Sequence, residues 1–427
     1  MFTSRASLWT QLDFVNADKT RTYIRRSRSY PLKFRFGYDE VLRDAFTLVI
    51  PHIHRLQCLT IEADALPSVI RHFYRHAPPL EKLHVDIGPH QDQILDGALF
   101  KNLSRLRELH LCGVSSHLSW KNLANLQVVD LYSRCRGYRT TQLLDFFESA
   151  PLLHTVSFVY PTADSSDAPP ERIVPLRHLR VLNISTKSSH TILLRHLHIP
   201  IGASLVSAFS FHEEESPFLE YLPEGFLNPN YLSHITTINL YLCTTRKYVQ
   251  LSGPSGSLRV STRWAGLEDS IPKTMDHQIL LSLGHPVLST IQRLSIISSN
   301  HPTEFEEHSI FQIFSSMNNL RSLALTYDWD EPFVRVLDPE ENQSNLVPCL
   351  HMEDLVVRST RWPRKAYLPL IRMAKNRAAR GKKLSLVTVV SFDDSSPSKE
   401  MFELEEYVTH MEYRAQKEEP EWDEAWR

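Results

Sequence analysis

The sequence predicts an α/β solenoid: a horseshoe stack with a parallel β-sheet on its concave side and helices on its convex side. Three observations carry this expectation. One apolar phrase, L-x-x-L-x-L, recurs along nearly the whole chain at a near-constant step. Helical spacing fills several of the intervals between copies, and polar or Pro-rich stretches punctuate the junctions. A strand that alternates apolar and polar residues buries one face only, so a single copy is unstable alone and stacked copies share one core.

The clearest copies lie in residues 103–133, where Leu106/Leu109/Leu111 is followed twenty residues later by Leu126/Val129/Leu131. This is the spacing of a leucine-rich repeat. Earlier copies are Leu56/Leu59/Ile61 and Leu80/Leu83/Val85. Later ones are Leu153/Val156/Phe158, Leu179/Leu182/Ile184, Val206/Phe209/Phe211 and Ile235/Ile238/Leu240, then Ile291/Leu294/Ile296, Leu320/Leu323/Leu325 and Met352/Leu355/Val357. Successive starts are 24, 26, 20, 27, 26, 27 and 29 residues apart, then 56, then 29 and 32. The long step equals two repeats, so a degenerate copy is expected inside it, with Leu258–Val260 as its strand. About a dozen strand-helix units result.

In chain order, Thr20 to Arg28 reads as a basic helix leading to a first strand at Leu32, Phe34 and Phe36. Spacings of three and four mark helices at Val69, Ile70, Phe73, Tyr74 and Ala77, at Leu143, Leu144 and Phe147, and at Ile310, Phe311, Phe314 and Met317. Asp64 before Leu66-Pro67 suits a helix start. The longest loops are expected at 161–175, 253–276 and 328–348. A helix from Tyr367 to Lys383 precedes a last strand, Leu384 to Val390, expected to cap the stack. An acidic tail follows, partly helical and disordered at its end. The expected organisation is a junction segment over 1–30, the solenoid over 31–391 and the tail over 392–427.

Composition narrows the function classes. A net charge of -2 gives no electrostatic case for nucleic acid, and no apolar run reaches the length of a bilayer span. The first residues lack the basic start and apolar middle of a secretory signal, which places the protein inside the cell. Five scattered cysteines without a C-x-x-C suggest reduced thiols rather than a disulfide framework or a zinc ribbon, and twelve glycines argue against nucleotide-binding loops.

The segment SLWTQLDF followed by RRSRSYPLKFRF resembles the junction after the F-box in fungal, basidiomycete-type, F-box/leucine-rich-repeat proteins. PHIHRLQCLTI, HAPPLEKLHV, SAPLLHTVSF, FLEYLPEGFL, ITTINLYL and LSGPSGSLRV extend the likeness over almost the whole chain. The resemblance implies a substrate receptor of a ubiquitin ligase, with an F-box docked on a Skp-type adaptor and the solenoid holding an unknown target protein. This chain begins at the junction, so most of the F-box is expected to be missing from it. A protein-interaction scaffold independent of the ligase is the alternative reading.

Candidate chemistry is sparse. His52-x-His54 and His196-x-His198 could share a strand face, yet neither pair has a third metal ligand at a recognisable spacing. Asp328, Asp330 and Glu331 open an acidic loop and would be the centre of a metal-dependent hydrolase. GPSGS at 253–257 lacks the Lys of a phosphate loop, and the basic residues of Tyr367 to Lys383 lack interleaved aromatics for RNA. No catalytic residue, cofactor or metal site is expected, so the protein reads as a binder and not an enzyme. The concave face is the better candidate. Residues between the paired apolar positions give an outward column of Thr60, His84, His110, Asp130, Ser157, Asn183, Ser210, Asn239, Ser295, Ala324 and Val356. Its N-terminal part forms the expected partner-binding site: Lys82, His84, Asp86, Glu108, His110, Asp130 and Tyr132.

Overall fold

Apolar phrases become short strands that lie side by side in parallel. The computed structural model describes residues 6–13, 17–36, 47–62, 79–87, 93–95, 104–116, 123–132, 139–159, 171–186, 193–194, 196–200, 202–211, 234–243, 246–254, 256–264, 280–281, 283–299, 307–326, 331–340, 347–359, 367–391 and 401–415. The chain divides into two units, Met1–Phe209 and Ser210–Arg427. Both are mixed α/β.

The first unit carries a nine-stranded, all-parallel sheet. Its chain-order elements are β1 (Gln11–Asp13), α1 (Ala17–Ser27), β2 (Leu32–Phe36), β3 (Leu56–Glu62), β4 (Lys82–Asp86), β5 (Gln93–Leu95), β6 (Glu108–Cys112), β7 (Val114–Ser116), β8 (Val128–Tyr132), α2 (Thr140–Ser149), β9 (Thr155–Val159), β10 (Val174–Pro175), β11 (Val181–Thr186), β12 (Leu197–His198) and β13 (Ser204–Phe211). The sheet order is β1-β2-β3-β4-β6-β8-β9-β11-β13, and β1 does not pair with β13, so this is not a barrel. Small parallel pairs, β5 with β7 and β10 with β12, lie outside it.

Register explains why these residues form strands. Phe34, Leu59, Leu83, Leu109, Val129, Val156 and Leu182 sit opposite one another in successive strands, and each is buried. Two residues on, Phe36, Ile61, Val85, Leu111, Leu131, Phe158 and Ile184 form a second buried row. Each such side chain removed from water contributes about 1.5 to 3 kcal/mol, which no isolated strand could collect. On the helix side, α2 buries Leu143, Leu144, Phe146 and Phe147, and the Phe146 and Phe147 rings lie 6.4 and 5.6 Å from that of Phe158.

The second unit contains β14 (Thr237–Cys243), β15 (Arg246–Gly253), β16 (Gly256–Trp264), α3 (Gly284–Leu288), β17 (Arg293–Ser299), α4 (Glu307–Ser316), β18 (Ser322–Thr326), α5 (Glu331–Leu337), β19 (Asp354–Ser359), α6 (Tyr367–Ala379), β20 (Leu384–Ser391), α7 (Met401–Tyr407) and β21 (Val408–Ala415). Its strands β14, β17, β18, β19, β20 and β21 pair in parallel in that order. Ile238, Leu294, Leu323, Leu355 and Val387 form its buried row.

Four expectations are corrected. Leu258–Val260 is not a further parallel repeat: it lies in β16, which pairs antiparallel with β15, itself antiparallel to β14. The 56-residue step is therefore an excursion, and β14 pairs directly with β17. In β13, Leu205 rather than Phe209 aligns with Leu182, so Val206 and not Ser210 follows Asn183 in the outward column. The strand at 384–390 does not end the sheet, because β21 pairs with it. The expected loop at 328–348 contains α5, with Phe333, Val334, Val336 and Leu337 buried. The helix expected at 69–77, the residues Asp328 and Asp330, and the end of the tail beyond 415 lie outside the described residues.

Turns repeat as regularly as strands. Before successive strands the amide of Leu126, Leu153, Leu179, Ile291, Leu320 and Met352 donates to the carbonyl three residues back, at Leu123, Ala150, Leu176, Leu288, Met317 and Cys349. Those six are buried. The next amides cross to the preceding repeat, as in Gln127 to Arg107, His154 to Gln127 and Arg180 to His154, and again in Arg321 to Gln292, Glu353 to Arg321 and Ser385 to Glu353. Asn125 and Asn319 add a side-chain link, donating to the Ser104 and Ser289 carbonyls of the previous turn. Backbone groups that a non-helical turn would leave unsatisfied are thus paired between repeats.

Candidate functional site

All seven residues expected at the site lie on β4, β6 and β8, which are consecutive in the sheet. Because successive side chains of a strand point to opposite faces, the rows flanking each buried Leu or Val emerge together on the other side. Lys82 stands opposite Glu108, His84 opposite His110, His110 opposite Asp130, and Asp86 opposite Cys112, which in turn faces Tyr132. The structure brings the seven into one three-by-three patch.

Contacts within the patch are electrostatic. Lys82 donates through Nζ to Glu108 Oε1. The His84 and His110 rings lie 5.5 Å apart with planes tilted by 33°. His110 Nδ1 lies 3.7 Å from Asp130 Oδ2, too long for a hydrogen bond and close enough for Coulomb attraction when the ring is charged. Burial lowers the His84 pKa from its ordinary value, and the neighbouring His110 lowers it further, against the opposing pull of Asp86, Glu62 and Asp130. His84 therefore favours its neutral form. Exposed pairs of this kind contribute about 0 to 1 kcal/mol each, so they orient side chains more than they hold the fold.

The site expected from the sequence stops at β4, although both strands that extend the patch, β2 and β3, are expected as strands and Thr60 opens the outward column. Arg35 on β2 reaches Glu62 on β3, with Nη2 2.8 Å and Nε 3.0 Å from Oε1. Lys33 and Cys58 stand in register with Lys82, and Arg35 and Thr60 with His84. The signal was present: Arg35 lies between Phe34 and Phe36, as His84 lies between Leu83 and Val85. The Cys58 thiol is pushed up by burial, so it is not an activated nucleophile.

Other candidates resolve into structural roles. His52 and His54 lie in a 3-10 turn (Ile50–Arg55), not on a strand. His196 is buried, its Nδ1 2.8 Å from the Arg172 carbonyl, while His198 is exposed. The described residues hold no group of three or more His, Cys, Asp or Glu placed to bind a metal. On α6, Arg372 pairs with buried Asp338, and Arg377 is fully buried, donating to the Pro348 and Cys349 carbonyls at 3.0 Å each. Of these two cations only Arg377 is packed into the core, while Arg372 stays exposed as it pairs with Asp338. Cys349 is buried beside Arg377, its thiol pushed up to about 12 by desolvation.

Among the described residues no helix is long and apolar enough to cross a membrane. No protein-family model matches the chain, and no curated protein matches it.

Proposed function

We propose that this chain is a protein-binding module of the leucine-rich-repeat solenoid kind, inside the cell, serving as the target-recognition part of an F-box-type ubiquitin-ligase adaptor. It contributes binding surface and no catalytic residue. The observation that carries the reading is the outward patch on β3, β4, β6 and β8: charged and imidazole side chains in register on a rigid sheet whose opposite face is closed core. Parallel sheets are ordinarily covered on both faces. One that leaves a polar face half-exposed suits a partner, and the repeated turn and inter-repeat hydrogen bonds support the solenoid reading.

The surface half of the proposal is tested by affinity capture from cells with wild type and a His84→Ala, Asp130→Ala, Tyr132→Ala variant. Loss of specific partners with retained folding supports it; an unchanged partner set overturns it. The ligase half is tested by pull-down of a purified Skp-type adaptor with the full-length gene product. Absence of adaptor binding, with target capture intact, leaves a ligase-independent interaction scaffold.

A further inference from the structure

We propose that α1, with the short 3-10 turn before it (Ala6–Trp9), is a docking surface for an anionic lipid bilayer.

Charge is concentrated here. Residues 6–36 carry seven cations, Lys19, Arg21, Arg25, Arg26, Arg28, Lys33 and Arg35, against two carboxylates, Asp13 and Asp18, whereas the whole chain has a net charge of -2. Arg21 pairs with Asp18 at 2.9 Å, and Arg35 with Glu62 of β3 at 2.8 Å. Seven cations against these three carboxylates leave four in excess, whichever pairs form. Lys19 and Arg26 lie over rings, 5.7 Å from the Tyr23 centroid and 4.5 Å from that of Trp9. A neutral ring orients a cation and leaves its charge in place. Arg25 and Arg28 are exposed.

Position makes the excess available. Thr20, Ile24 and Ser27, spaced by four and three, are buried, while Lys19, Arg21, Arg25 and Arg26 hold the exposed face of the helix. Arg55 fastens the C-terminal end of α1 from the other side, donating to Ser27 Oγ at 2.8 Å and to the Tyr30 carbonyl at 2.7 Å. Exposed apolar side chains stand at both ends. Leu8, 54% exposed, lines a cavity with Lys19 and Tyr23, and Tyr30, 50% exposed, follows Arg28.

The arrangement selects a bilayer over other anions. Its cations spread round the exposed half of the helix and do not converge on one point, which suits headgroups that diffuse laterally to meet them better than a single phosphate. The Trp9 and Tyr23 rings meet edge to face at 5.0 Å and each carries a cation, so they are not a stacking platform for nucleic-acid bases. Leu8 and Tyr30 add the apolar contribution that a polybasic surface needs for stable attachment at headgroup depth.

The test is co-sedimentation of the full chain with vesicles of phosphatidylcholine, pure or containing about 30% phosphatidylserine. Binding is expected only to the anionic vesicles, with release when salt rises from about 0.1 M to about 0.5 M. Arg25→Gln and Arg28→Gln should each weaken binding by about fivefold, the equivalent of about 1 kcal/mol per cation near the surface. Leu8→Ser with Tyr30→Ser should weaken it while the salt dependence persists. A control pair, Arg293→Gln with Arg321→Gln, removes two exposed cations from the second unit and should change nothing. Circular dichroism checks that every variant is folded. Equal binding to both vesicle types, or equal loss in the control pair and in the Arg25, Arg28 pair, overturns the proposal. Stronger retention on a single-stranded oligonucleotide or on polyglutamate than on the anionic vesicles, at equal anion concentration, rejects the lipid and makes α1 a nucleic-acid or acidic-protein surface instead.

Discussion

The two units share a core pattern and differ on the opposite face of their sheets. In the first, positions between the buried rows carry Thr60, His84, His110, Asp130, Ser157 and Asn183, all exposed or half-buried. In the second, the matching positions carry Asn239, Ser295, Ala324, Val356 and Thr388, with Thr388 only 5% exposed. One row further on, Ile297 and Val390 are 6% and 4% exposed. Hydrophobic alternation therefore specifies which residues build the sheet, while the intervening residues are charged and polar in one unit and smaller or more apolar in the other, where Asn239, Ser295, Ala324 and Val356 stay half-buried and Thr388, Ile297 and Val390 are packed.

The comparison is sharpest where the units should agree. Leu109→Ala in the first and Leu323→Ala in the second each remove a fully buried leucine and should each destabilise by about 2 to 5 kcal/mol in denaturant titration. A large difference between them would mean that the shared core pattern hides unequal packing. Arg377→Ala should destabilise the second unit by about 2 kcal/mol, because the Pro348 and Cys349 carbonyls lose charged donors while the relief of a buried cation offsets part of that loss. Hydrogen exchange should localise the weakening to 347–352.

The outward faces should then part company. Val390→Ala is expected to cost about 1 to 2 kcal/mol, and His84→Ala to change stability by no more than about 0.5 kcal/mol. Equal effects would dissolve the distinction between working surface and packing. The smallest effect concerns pH. His84 has a lowered folded-state pKa, so the unfolded chain takes up the proton first, and stability falls as pH drops below the ordinary imidazole value near 6.5. Denaturation midpoints measured against pH should fall less steeply in His84→Gln than in wild type.

Much of this pattern was legible in the sequence, for a physical reason. A parallel strand with one buried face writes its register into period-two alternation, so Leu109, Leu111, Val129 and Leu131 announced their rows, and the polar neighbours His110 and Asp130 came with them. β13 was misread because Leu205-Val206 and Phe209-Ser210-Phe211 offer two competing alternations four residues apart, and only pairing to Leu182 chooses between them. The hairpin β15–β16 was misread because Leu258 and Val260 match the phrase while nothing in the spacing tells a parallel strand from an antiparallel one. Nothing in the spacing of the basic helix at Tyr367 to Lys383 marks Arg377 as buried, since its carbonyl partners Pro348 and Cys349 lie some thirty residues away in sequence.

Chain connectivity across the β14–β17 ladder bears on how the second unit folds. Most ladders join residues roughly one repeat apart, such as Leu323 and Leu355, so each strand can add to a neighbour just laid down. Ile238 must instead find Leu294 across 56 residues. Doubling a closed loop costs only about 0.6 kcal/mol in chain entropy, a small equilibrium penalty that falls mainly on rate. Gly253 adds a constraint, because a Cβ there would overlap the His234 carbonyl, so the β15–β16 hairpin turns at a point, next to the residues that lead into β14, that tolerates no side chain. Strands β17 to β21 can grow outward as a local series, while closure of β14 on β17 is the slow, non-local event of this half of the chain.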